Sequence, residues 1–134
     1  MTIIVSAAVI IEDQKVLVSQ RPSQSHMSGF WEFPGGKVET NESPQDALVR
    51  EIQEELGIPI RVGNILDVVF HQYPSKNVLL LFFLAQRLPP FPPPKRIGVA
   101  DIAWRSHHQL PDDQFPPPDV SVLAKVRNLL QSKD

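Results

Sequence analysis

The chain has 134 residues, 42% hydrophobic and 21% charged, with no cysteine, so a single domain is expected that holds its core without disulfide staples or thiolate zinc sites. Any metal must then sit on oxygen or imidazole. The formal charge of -2 and the pI near 6.1 argue against long nucleic acid as a ligand, because phosphate-backbone binding relies on an excess of lysine and arginine.

Met1 to Val5 carries no basic n-region and no apolar run reaches the length of a membrane span, so a soluble, cytoplasmic protein is expected. Thr2 to Ile11 and Lys15 to Ser19 are rich in Val and Ile and flank the polar Glu12-Asp13-Gln14, which predicts a β-hairpin. Ser43-Pro44-Gln45-Asp46 then supplies a capping serine, a proline at the first helical position and an acid in the first turn. Leu48, Ile52 and Leu56 follow at i, i+4 and Gly57 is a stop, so a helix is predicted over Pro44 to Leu56.

Arg61 to Phe70 is a weaker strand candidate. Val78 to Ala85 is a continuous apolar run of strand length, the pattern of a central strand covered on both faces. The 14 prolines concentrate in Pro89 to Pro94 and Pro116 to Pro118, which read as stiff surface connections because proline has a fixed φ and no N–H. Ala100 to Arg105 is a further strand candidate. Val120 to Leu130 is a second amphipathic helix, with Val122, Val126, Leu129 and Leu130 on its apolar side. Strands interleaved with two helices predict an α/β (α+β) sandwich over residues 1–134, a mixed β-sheet flanked by helices.

The chemistry is concentrated in Gly35-Gly36-Lys37-Val38-Glu39, Glu42, and Arg50-Glu51-Ile52-Gln53-Glu54-Glu55-Leu56-Gly57-Ile58. On the predicted helix Glu51, Glu54 and Glu55 fall within an arc of about 100°, beside the stripe that docks on the core. Like charges at i, i+4 destabilise a helix, so this cluster calls for a cation, and Arg50 alone cannot neutralise it. All-oxygen donors suit a hard ion, Mg²⁺ or Mn²⁺.

Gly36, Glu42, Arg50, Glu51, Ile52, Glu54, Glu55, Gly57 and Ile58 also fit the pattern G-x5-E-x7-R-E-U-x-E-E-x-G-U, with U apolar. This is the Nudix box, and the chain resembles a Nudix hydrolase. Gln20-Arg21-Pro22, His26-Met27, Trp31-Glu32-Phe33-Pro34 and Phe115-Pro116-Pro117 extend the resemblance to the MutT-type branch. The resemblance implies a Nudix-type α/β/α sandwich and hydrolysis of nucleoside triphosphates, 8-oxo-dGTP above all, to the monophosphate and pyrophosphate. It further implies that Glu54, Glu55 and the carbonyl of Gly35 are divalent-metal ligands. Glu51 would be a ligand or the general base, oriented by Arg50, with Glu42 acting from behind the direct ligands. Arg21 and Lys37 would add positive charge at the phosphates, with His26 a further substrate contact. Phe33 would line the base pocket, or else simply pack in the core. Asp119 would read the base edge, or else simply cap the last helix. Tyr73 and Val78 would flank the pocket. His107 and His108, in a polar loop, are expected to have no specific role.

The sequence departs from the MutT-type pattern twice. Gly98 stands where a glutamate often serves as an extra metal ligand or base, and Asp101 is displaced from it by three residues. This shifts base catalysis towards Glu51 and leaves a non-turnover nucleotide-binding regulator as an alternative. Asp119 stands where guanine-selective members place asparagine. An ionised aspartate only accepts hydrogen bonds, whereas asparagine also donates, so CTP and 5-methyl-dCTP hydrolysis is the second substrate reading. On that footing Asp119→Asn would favour 8-oxo-dGTP over CTP.

Overall fold

The computed structural model describes residues 1–25 and 27–131, so the candidate contact His26 lies outside the described residues. Strands β1 (Thr2–Glu12) and β2 (Lys15–Gln20) form the predicted hairpin. Asp13 and Gln14 at its tip have φ of 51° and 62°, as in a type I′ turn, whose twist matches that of the strands it joins. Two short strands follow, β3 (Trp31–Glu32) and β4 (Gly35–Lys37), then α1 (Pro44–Leu56), β5 (Ile60–Tyr73), β6 (Lys76–Arg87), β7 (Asp101–Arg105) and α2 (Val120–Gln131). At two and three residues, β3 and β4 are too short to leave a periodic signal in the sequence.

The fold turns on β1, which joins two groups of strands in one seven-stranded sheet. Thr2–Ile10 runs parallel to Asn77–Ala85 of β6, and Val5–Ala7 pairs antiparallel with β4. The last residues, Ile11 and Glu12, pair with β2, which continues against β7 and β3. On its outer side β6 pairs antiparallel with β5, whose register shifts between Val62 and Asp67. The sheet is thus mixed, as expected.

Alternation along the strands builds one core on each face. Ala7 and Val9 of β1, Val16 and Val18 of β2 and Phe82 of β6 meet Val122, Leu123, Val126 and Leu130 of α2. Ala8, Ile10, Leu17 and Phe83 point the other way and meet Leu48, Ile52 and Leu56 of α1. The continuous apolar run in β6 follows from this, since residues on both faces are covered. The stripe of α2 is shifted from expectation: Leu123 is buried, whereas Leu129, at the edge of the arc centred on Val126, is 37% exposed. The proline cluster before α2 is also not a surface connection, because Pro116 and Pro118 are drawn inward and line the cleft described below. Among the described residues no helix is long and apolar enough to cross a membrane.

Candidate active site

A cleft of about 370 Å³ opens where β1, β4 and β6 meet the end of α1 and the start of α2. It gathers Arg21, Phe33, Gly35, Lys37, Glu55 and Asp119, which lie far apart in the chain, together with Tyr73, Val78 and Gly98. Helix α1 supplies its acidic end. Ser43 accepts from the Asp46 N–H at 3.0 Å, Pro44 occupies the first turn, and Gly57 ends the helix at φ 67°. Its start is tied to the sheet by Ser6 of β1, which is buried and donates to the Pro44 carbonyl at 2.8 Å.

Arg50 organises the carboxylates of the box. Its guanidinium donates to both Glu42 oxygens at 2.8 and 3.0 Å, to Glu51 at 3.1 Å, to Glu54 at 3.2 Å and to the Lys37 carbonyl at 3.1 Å. Hydrogen bonds from Arg50 and the Glu39 N–H keep the Glu42 carboxyl below its ordinary range, so Glu42 holds its charge behind Arg50. Glu55 has no hydrogen bond to Arg50. It faces the cleft, and burial together with the charges of Glu51 and Glu32 pushes its carboxyl up to about 8. Burial also raises Glu51.

Two glycines let these groups approach. A Cβ on Gly35 would lie 1.9 Å from the Ser6 carbonyl oxygen, so β4 can pair this closely with β1 only without a side chain there. A Cβ on Gly36 would lie 2.3–2.6 Å from the Glu51 carboxyl atoms. Gly36→Ala is therefore expected to swing Glu51 aside, lowering kcat by about ten-fold or more while the melting temperature stays near that of the native chain. Unchanged turnover would show that the placement of Glu51 is dispensable.

The inner end of the cleft is apolar above and acidic below. Phe33 is 3% exposed, meets Phe82 edge-on with ring centroids 6.0 Å apart and lies 5.9 Å from Phe115, so it both packs in the core and lines the cleft. Arg21 is directed inward, donating to Glu32 at 2.9 Å. Asp119 closes a single 3₁₀ turn, Pro117–Asp119, and is 4% exposed. Among the described residues its carboxyl makes no hydrogen bond to the first turn of α2, so it does not cap that helix. Burial first, then the nearby Glu32, pushes its carboxyl up to about 8. A carboxyl raised in this way favours its protonated form, which both donates and accepts as asparagine does, over the ionised form on which the sequence reading relied.

Gly98 lies against Glu55 at the cleft wall, whereas Asp101 stands away from it, accepting from the Ile102 N–H at 2.8 Å with Arg96 at 3.8 Å. Asp101 thus lies outside the cleft lining, apart from Glu55. His107 and His108 stack on one another at 3.8 Å outside the cleft. The residue missed from sequence is Glu32. Burial raises its carboxyl, and it acts electrostatically on both Glu55 and Asp119, linking the two ends of the cleft. A single glutamate in a two-residue strand has no periodicity to betray it.

The donor set fits a hard divalent cation. It is all oxygen, and the single charge of Arg50 is shared among Glu42, Glu51 and Glu54 without reaching Glu55, so the cluster keeps an excess of acid that a cation would offset. Among the described residues, no three acidic or imidazole side chains are drawn together to the spacing of a formed metal site.

An acidic helix end, a glycine-lined β4 and an enclosed inner pocket are the arrangement of a Nudix hydrolase, and the chain belongs to that family, its residues 2–126 matching the NUDIX domain. It is accordingly a Nudix pyrophosphohydrolase. It is 34% identical over 118 residues to the 8-oxo-dGTP diphosphatase of Escherichia coli, covering 88% of this chain and 90% of that one. Over a shorter stretch of 60 residues it is 58% identical to the CTP pyrophosphohydrolase of the same organism, covering 45% and 44% of the two chains. The solution structure of the Escherichia coli ORF135 protein superposes with a TM-score of 0.81 at 33% identity, covering 98% of this chain and 93% of that one. Nudix hydrolases act on nucleotides and generally use divalent metal ions.

Proposed function

We propose that this protein hydrolyses nucleoside triphosphates to the monophosphate and pyrophosphate with Mg²⁺, 8-oxo-dGTP being the favoured substrate. The observation that carries the reading is one cleft that has Glu55 with Gly35, Gly36 and Lys37 at one end and Phe33, Tyr73 and Asp119 at the other. Those ends match a charged polyphosphate and a flat base. The negative charge of a triphosphate repels an attacking water, so catalysis calls for neutralising charge and an oriented nucleophile. Glu54, Glu55, Glu51 and the Gly35 carbonyl would hold the cation, which when bound offsets the phosphate charge and acidifies water. Arg21 and Lys37 add positive charge along the cleft. Glu51, steadied by Arg50, receives the proton of the attacking water, and Phe33 packs on the base.

Cytidine nucleotides are the second reading, supported by Asp119 and by the 58% identity over 60 residues to a CTP pyrophosphohydrolase. Pyrophosphate release from a panel of 8-oxo-dGTP, dGTP, CTP and 5-methyl-dCTP with Mg²⁺ tests both. Preference for 8-oxo-dGTP is expected, preference for cytidine nucleotides would favour the second, and tight binding without turnover would leave a regulator.

The panel also locates the base. Glu51→Gln should lower kcat by about 100-fold or more, whereas Asp101→Asn, set apart from the cleft, should stay near native turnover. The opposite ranking would overturn the assignment of Glu51.

A further inference from the structure

Residues 88–100, between β6 and β7, form no helix or strand, yet they wrap the end of α1. The last carbonyls of a helix lack partners within it. Here the segment supplies them: the N–H groups of Ile97 and Gly98 both donate to the Glu55 carbonyl at 3.1 Å, and that of Lys95 donates to the Leu56 carbonyl at 2.8 Å. Gly98 also presses on the Glu55 side chain so closely that a Cβ would lie 3.2 Å from its Cγ. The segment therefore grips Glu55, the acid that faces the cleft, by backbone and flank together.

Proline takes N–H donors from the earlier part of this segment, so it cannot anchor itself by a ladder and depends on outside donors. Arg87 provides them. Its Nη1 donates to the carbonyls of Phe91 and Pro92 at 2.9 and 2.8 Å, while Nε and Nη2 donate to Glu12 at 2.8 and 2.6 Å. The guanidinium also lies 5.8 Å from the ring centroid of Trp104. One side chain thus ties the segment to the end of β1 and to β7.

We propose that Arg87 is a positioning residue for the active site: by clamping the proline-rich segment to Glu12, it fixes the backbone that holds Glu55 at the cleft and so sets the site's affinity for its divalent cation. The inference rests on the reading of the cleft as a metal-dependent site, and it concerns a residue that itself lies outside the cleft.

The test uses the full chain with Arg87→Ala, Arg87→Lys and Val126→Ala, the last a buried change in the α2 core on the opposite face of the sheet. Mn²⁺ is titrated calorimetrically in the absence of nucleotide, and pyrophosphate release is followed against Mg²⁺ at temperatures where each variant is folded. Arg87→Ala is expected to weaken Mn²⁺ binding and raise the Mg²⁺ half-saturation by about ten-fold or more, the usual scale for partners that orient metal ligands. The nucleotide KM at saturating Mg²⁺ should change less than about two-fold, because the contacts to nucleotide remain. Lysine keeps the ion pair with Glu12 but lacks the planar fork, so it should recover only part of the loss. Val126→Ala should lose stability yet bind Mn²⁺ as the native chain does. Native-like Mn²⁺ binding in Arg87→Ala, or in Arg87→Lys where the alanine variant does not fold, would overturn the proposal. So would equal weakening in Val126→Ala. A native chain that binds Mn²⁺ but releases no pyrophosphate would overturn the proposed reaction and leave the Arg87 test standing on binding alone.

Discussion

Glu55→Gln should lower kcat by about 100-fold or more, a loss on the scale expected of Glu51→Gln. The Glu55 carboxyl lies at the cleft wall, away from the core cluster that Leu48, Ile52 and Leu56 form on the neighbouring stripe of α1. Its substitution therefore removes a group that can ionise to hold a cation without removing packing. Burial first, then the surrounding carboxylates, pushes its ionisation up to about 8, so the ionised form is disfavoured in the folded chain by desolvation and by repulsion. A glutamine relieves that repulsion, so the melting temperature should hold or rise while turnover collapses and the requirement for divalent metal increases. Pyrophosphate release against metal concentration, read beside a thermal melt, checks both halves. Near-native turnover with unchanged metal dependence would remove Glu55 from the site.

Asp119→Asn should raise the melting temperature by an amount that grows with pH. The carboxyl has an ordinary value of 3.8 but lies near 8 in the folded chain, chiefly through burial. A raised value means that the folded chain keeps a proton that the unfolded chain gives up. Stability contributed by this group is complete below about pH 4, falls as pH rises between about 4 and 8, and levels off above, because beyond that point both states are ionised. Asparagine cannot ionise and carries no such penalty. The gap in melting temperature should therefore be small at pH 4.5 or below and reach about 5 °C or more near pH 8. A gap that does not change with pH would show that folding leaves the ionisation of Asp119 unshifted.

The same proton decides what Asp119 can read in a base. As a neutral acid it donates from one oxygen and accepts at the other, matching O6 and N7–H of 8-oxoguanine, and equally N3 and the N4 amino group of cytosine. Asparagine offers the same pair. The expectation that Asp119→Asn would favour 8-oxo-dGTP over CTP is therefore replaced: near pH 7 the ratio of kcat/KM values should move by less than about two-fold. Above pH 8 the ionised carboxylate can no longer donate to O6 or N3 and suits the N1–H and N2 amino donors, which guanine and 8-oxoguanine share. Selectivity for 8-oxo-dGTP over dGTP should then fall about ten-fold in the native chain and stay flat in Asp119→Asn. A flat profile in both would exclude Asp119 from base reading.

Much of the chemistry was local and therefore legible in the chain. The cap at Ser43, the apolar stripe of Leu48, Ile52 and Leu56 and the glutamates beside it all lie within one helix, whose period fixes which side chains share a face before any packing occurs. The hairpin of β1 and β2, the two-faced burial of β6 and the flanking of a mixed sheet by two helices follow from patterns of the same short range, whereas the α/β/α layering was implied by the resemblance. What the sequence could not set was the environment of each acid, because desolvation and field depend on groups brought in from elsewhere. Glu32 became part of the site only when β3 brought it within electrostatic reach of Glu55 and Asp119, and the Asp119 carboxyl was raised only when the fold buried it. The proline-rich segment looked like a mere surface connection until its N–H groups found the end of α1 and Arg87 found its carbonyls. Residue type and spacing thus determined which groups could act. Burial and distant neighbours, which exist only in the folded chain, decided which carboxyls hold a proton and which backbone holds Glu55 in place.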